Sequence, residues 1–190
     1  MSHTRRAFLG ATAAGGVGLL TFTIAGCESK VTPAQARAGG AEFRTLQAAE
    51  VATLDALGEI LLPGSAANGL SHFIDHQLSG DPANSMLMIK YLRVPAPFTG
   101  FYRAGLSATE AAAQSEFATS MAQLTPEQGS ALVGKMAAGT LAGWNGPPSP
   151  FFFFVLRNDA VDVTYGTPTG FEQLGVPYMA HINPPTPWGA

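Results

Sequence analysis

Charge and cysteine are scarce in this 190-residue chain. Asp, Glu, Lys and Arg make up 12% of it, about half of the ~25% found in an average soluble domain. The formal net charge is −3. Without a basic excess there is nothing to neutralise a run of phosphates, so nucleic acid is excluded as a partner. A single cysteine, Cys27, excludes an internal disulfide framework, a Cys-rich zinc site and a four-cysteine iron–sulfur cluster. C-x-x-C-H does not occur, which excludes a c-type haem on this chain. There is no P-loop and no G-x-S-x-G elbow. The glycine-rich run Gly15-Gly16-Val17-Gly18 lies in the N-terminal apolar segment, without a strand–turn–helix setting. Internal repeats and useful stretches of strand-type alternation are also missing.

What is present begins with a leader. Arg5-Arg6-Ala7-Phe8-Leu9 is a twin-arginine pattern ahead of the uncharged run from Ala11 to Gly26. That run is shorter and less apolar than the ~20 residues of a membrane span; a plain anchor helix is the alternative. It closes on Ile24-Ala25-Gly26-Cys27, which reads as a lipobox with Cys27 as the lipidated first residue of a 164-residue mature chain. Ordinary cleavage near Gly26, with Cys27 a spectator, is the other reading. Acyl chains contribute about 0.8 kcal/mol per buried CH₂, so several hold a protein at a bilayer. Loss of Arg5 and Arg6 with residues 1–26 takes the net charge from −3 to −5.

The chain then divides into a flexible tether over 27–42, a helical domain over 43–163 and an extended, Pro-rich partner-wrapping tail over 164–190. The tether is rich in Ala, Gly and polar residues and contains Pro33. Val51, Leu54, Leu57 and Leu61 recur at helical spacing, with Thr45 as N-cap and Leu62-Pro63-Gly64 as the stop. A second helix spans about 69–78 and a short one 85–92. Phe98, Phe101 and Tyr102 fall in a loop around Pro95, Pro97 and Gly100. Ser107-Ala108-Thr109-Glu110 fits a capping box for a helix to about Leu124, and Thr125-Pro126-Glu127-Gln128 opens the next. Phe151 to about Val163 is a further helix. The fold class is all-α: a small bundle of five or six short helices.

Chemistry-bearing residues are few. His72 and His76 share a helix face at i and i+4 with Asp75 beside them, half of a helical metal site that would need His181, Asp81 or a distant Glu to complete it. The bland reading, a polar helix side, is preferred, and no metal ligand is expected. The carboxylates, Asp159 and Asp162 among them, read as solvated helix faces and caps, with no pair placed for acid–base work. Neither a catalytic nor a cofactor-binding residue is assigned. Phe151, Phe152, Phe153 and Phe154 point all round a helix, and one small core covers one side only. With Phe171, Tyr178 and Trp188 in the tail they are the expected partner anchors.

Several segments, taken in order, resemble the gluconate 2-dehydrogenase subunit 3 family, the small subunit of membrane-associated flavin dehydrogenases. They are the Arg5-Arg6 leader, Leu46 to Pro63, Phe73-Ile74-Asp75-His76-Gln77-Leu78, Thr125-Pro126-Glu127-Gln128, Phe151 to Arg157, Tyr165-Gly166 and Leu174-Gly175-Val176-Pro177-Tyr178. The resemblance covers about residues 43–188. A longer Tyr-Gly stretch common in the family is reduced here to Tyr165-Gly166-Thr167-Pro168-Thr169-Gly170. The resemblance implies a non-catalytic chain without a cofactor of its own. It implies a large FAD-containing partner of the glucose–methanol–choline type, matured and carried through the twin-arginine route by this subunit. A cytochrome c is then the electron acceptor, and the complex sits in the periplasm on the membrane, through lipidated Cys27. Substrates implied are sugars, sugar acids, polyols and glycosides oxidised at the 3-position. The rival readings are a metal-dependent envelope enzyme using His72 and His76, and a stand-alone helical scaffold lipoprotein.

Overall fold

The structure, a computed structural model, describes residues 18–176. Two short strands and eight α-helices make up its regular elements among the described residues. None of those helices is long and apolar enough to cross a membrane.

The chain enters as a hairpin. β1 (Leu20–Ile24) pairs antiparallel with β2 (Cys27–Val31), from Leu20 opposite Val31 to Ile24 opposite Cys27. The two turn residues, Ala25 (φ 49°) and Gly26 (φ 78°), both have positive φ, as a two-residue turn matched to strand twist requires. α1 (Pro33–Ala38) follows, with Thr32 as N-cap in a capping box with Gln35. Residues 27–42 are therefore not the expected flexible tether: they hold β2 and α1. Pro33 starts a helix, because an N–H in the first turn needs no helical partner.

α1 is held on the body at close range. The N-terminus of α3 (Leu70–Ser79) abuts it through Gly69 (φ 83°), where a Cβ would drive into the Pro33 carbonyl. Arg37 also pairs with Asp55 at 2.5 Å. Asp55 belongs to α2 (Ala48–Leu61), which begins two residues later than Thr45 predicts. Gln47 takes the cap position, and its N–H donates to Glu50 Oε2 at 2.7 Å. The Thr45 N–H instead donates to Asp75 Oδ1 at 2.8 Å.

A 3-10 turn (Pro82–Asn84) leads to α4 (Met88–Tyr91). α5 (Thr99–Phe117) starts eight residues before the expected Ser107. Tyr102, Leu106, Thr109 and Ala113 form its buried stripe, so the aromatics read as loop are its first turn, and Ser107 faces solvent in mid-helix. α6 (Pro126–Ala138) begins as expected, at a Thr125/Gln128 capping box with Pro126 at its first position.

α7 (Ser149–Tyr165) runs through the middle and packs against α2, α3, α4, α5, α6 and α8 (Pro168–Gln173). Thr167 caps α8, its hydroxyl accepting from the Gly170 N–H at 3.0 Å. The tail expected to be extended from 164 is thus helical through most of 164–173. Residues beyond 176 lie outside the described region. The main core joins Leu54, Leu57, Phe73, Tyr102, Phe152 and Leu156, all fully buried. A smaller cluster of Phe22, Ala36 and Ala41 seats the hairpin. The all-α expectation holds for the body, with the hairpin as its one β element among the described residues.

Candidate partner interface and the buried polar groups

α7 carries the four consecutive phenylalanines. Pro148 and Pro150 bracket its start, and Phe151 and Phe152 N–H groups donate to the Pro148 carbonyl at 2.9 and 3.0 Å. A rotation of about 100° per residue sends the four rings to different sides. Phe152 is 0% exposed and sits over Gly105 of α5, where any Cβ would overlap its ring. Phe101 lies 5.6 Å and Trp144 6.3 Å from it, centroid to centroid. Phe152 is therefore a core residue, and its assignment as a partner anchor is corrected: its side of α7 meets the bundle. Phe151 and Phe153 are half-buried, Phe151 with its edge to Phe101 at 5.7 Å. Phe154 is 44% exposed, and Val161, two turns on along the same face, is 37% exposed. Arg157 lies exposed between them. Phe171 is half-buried in α8. Beyond α8, Leu174 and Val176 are exposed. Tyr178, Trp188 and His181 lie outside the described residues, as do Arg5, Arg6, Phe8 and Leu9.

Asp159, expected on a solvated helix face, is wholly buried. It lies on the same stripe of α7 as Phe152, Leu156 and Val163. That register was the available signal. The Tyr102 hydroxyl donates to its Oδ2 at 2.6 Å and the Met88 N–H to its Oδ1 at 2.8 Å. One carboxyl thus ties α4 and α5 to α7. Desolvation outweighs both hydrogen bonds and raises its pKa to about 7, while the Tyr102 phenol is pushed well above its ordinary 10 by burial and by the carboxyl beside it.

The histidine pair does not form a metal centre with its neighbours. Asp75, beside the pair, accepts backbone N–H bonds from Arg44, Thr45 and Leu46 at 2.7–2.8 Å, so its oxygens cap the chain entering α2. His72 Nε2–H donates to the Ala41 carbonyl at 3.2 Å. The Phe22 ring stands 6.3 Å from His72 and 5.2 Å from His76, and Phe43 lies 4.4 Å from His72. Burial lowers both imidazole pKa values. No group of three His, Cys, Asp or Glu side chains able to hold a metal ion occurs among the described residues.

A cleft of about 410 Å³ between α2 and α5 is lined by Glu50, Thr53, Arg103, Ser107 and Glu110. Its charges pair internally: Arg103 with Glu50 at 3.1 Å, and the Thr53 hydroxyl donating to Glu110 at 3.1 Å.

Such features define a small helical domain whose buried polar side chains cap and tie its own backbone, and whose central aromatic helix keeps one apolar edge in solvent. The chain belongs to the gluconate 2-dehydrogenase subunit 3 family, whose model matches residues 48–183, from the start of α2 to beyond α8. It is accordingly a subunit of a multi-subunit dehydrogenase complex. Comparison with curated proteins and with solved structures returned no match.

Proposed function

We propose that this chain is the non-catalytic accessory subunit of a periplasmic, flavin-dependent sugar or polyol dehydrogenase. It docks on a large FAD-containing subunit of the glucose–methanol–choline type and brings that partner through the twin-arginine route, before electrons pass to a cytochrome c. Membership of the family carries this reading. The docking edge is Phe154 and Val161 on α7, extended by Leu174 and Val176 and by the aromatics Tyr178 and Trp188 further along the chain. Export rests on Arg5-Arg6-Ala7-Phe8-Leu9. In this reading FAD belongs to the partner, and this chain supplies surface and an address.

The test is a pull-down of the tagged full chain from native membranes, with mass identification and an absorbance spectrum. A co-purifying flavoprotein with oxidised-flavin bands is expected, and the double change Arg5→Lys, Arg6→Lys strands both chains in the cytoplasm. A lone colourless chain, or export of the flavoprotein unaffected by the double change, overturns the proposal.

A further inference from the structure

We propose that residues 20–26 stay in the mature protein as strand β1 and its turn, that any cleavage of the leader falls before Leu20, and that Cys27 is a free thiol beside a hairpin turn, not a lipid anchor. Ile24-Ala25-Gly26-Cys27 is open to two physical uses. Small residues suit a peptidase that grips extended backbone. Ala25 and Gly26 also fill the two positive-φ positions of a tight hairpin turn. In the folded chain they do the second. The Gly26–Cys27 bond lies where the hairpin closes, with Ile24 paired to Cys27 and Thr23 to Glu28. Proteolysis favours exposed loop tips whose backbone is free to leave its hydrogen bonds. Gly26 is a turn residue and Cys27 the first residue of the ladder, so what opposes cleavage is the pairing of Ile24 with Cys27 that closes the turn and the anchoring of β1 behind it.

β1 is also bonded beyond the hairpin. The Glu42 N–H donates to the Thr23 carbonyl at 3.1 Å, and the Arg44 guanidinium donates to the Thr23 hydroxyl at 3.2 Å. Phe22 is 5% exposed and closes over His72, His76, Ala36 and Ala41.

The division of labour between the strands argues the same way. β2 reads Cys-Glu-Ser-Lys-Val and its side chains are exposed or half-exposed; it is a solvent-facing partner for β1. A chain beginning at Cys27 would keep the polar strand and discard the one with the anchor. It would leave β2 without a pairing partner and uncover the buried ring of His72.

The experiment is intact-mass and peptide-mapping analysis of the chain recovered from the envelope fraction of a twin-arginine-competent host carrying the native leader. The expected result is a chain that includes residues 20–26, with a peptide spanning Gly26–Cys27 whose thiol takes up iodoacetamide. A first residue at Cys27 carrying diacylglycerol, or any cleavage between residues 20 and 27, overturns the proposal. Hydrogen exchange on the full chain gives a second reading that needs no export. Amides of Phe22 and Ile24, which face β2 in this register, are expected to be protected many-fold over random coil, and coil-like exchange there overturns it. Cys27→Ser is expected to leave the membrane-bound fraction unchanged, and its loss from membranes counts against the proposal. These readings come from the chain itself, so they stand or fall apart from whether a flavoprotein co-purifies.

Discussion

Asp159→Asn removes one charge from the centre of the bundle while keeping its shape. The amide oxygen still accepts from the Met88 N–H, and the amide nitrogen can donate to the Tyr102 hydroxyl oxygen. What disappears is the titration. In the folded protein the carboxyl pKa is raised from 3.8 to about 7. A raised acid is more easily held neutral in the native state than in the unfolded chain. Its contribution to stability is therefore complete below pH 3.8 and is lost as pH climbs through about 7. Each pH unit in that window corresponds to about 1.4 kcal/mol. Between pH 5 and pH 8 the wild type should lose roughly 2–3 kcal/mol relative to the Asn variant. For a domain of this size that is about 5–10 °C in Tm. Asp162 is raised in the same direction, and His72 and His76 are lowered. The two histidines are present in both proteins and cancel in the difference, while the Asp162 charge, which helps to raise Asp159, is part of what the comparison reads. The assay is thermal unfolding followed by circular dichroism at half-unit steps from pH 5 to 8. Tm curves that run parallel across the range would refute the reasoning, since they would mean that Asp159 is already ionised at pH 5 in the folded protein.

Gly105→Ala is a contest between helix propensity, worth about 1 kcal/mol in favour of Ala, and overpacking, which costs roughly 1–3 kcal/mol. The Cβ would overlap three atoms of the Phe152 ring, so overpacking should win, and urea denaturation should show a net loss that Phe152→Leu partly relieves. His76→Leu tests the apolar lid. Burial lowers the His76 pKa, so its contribution is present above pH 6.5 and lost as pH falls, and the variant should show a flatter acid limb of Tm between pH 7 and 5. Phe154→Asp changes a ring already 44% exposed. It should leave Tm within about 1 °C, as exposed sites generally do, while reducing recovery of the flavoprotein in the pull-down by at least tenfold, the size expected of an aromatic hot spot.

Local signals were legible in the chain because their partners lie within four residues. Thr125, Pro126 and Gln128 mark the start of α6, and Pro63-Gly64 marks the end of α2, whatever the rest of the molecule does. The order of segments from Leu46 to Tyr178 was likewise enough to point to the family. The start of α5 is hidden in the sequence because its first turn holds aromatics in a Pro-rich neighbourhood that resembles a loop. Their burial against α7, and not the Ser107 pattern, sets where that helix begins. Tertiary contact alone decided which phenylalanine is core and which is surface: Phe152 meets Gly105, and Phe154 meets water. The same holds for Asp159, whose partners lie 57 and 71 residues away in sequence. It also holds for Ala25-Gly26, whose small residues resemble a lipobox in isolation and form a hairpin turn in the folded chain. A cap or a breaker acts through its own backbone and can be read in place. Burial depends on what the folded chain brings to the other side, and no local pattern specifies that.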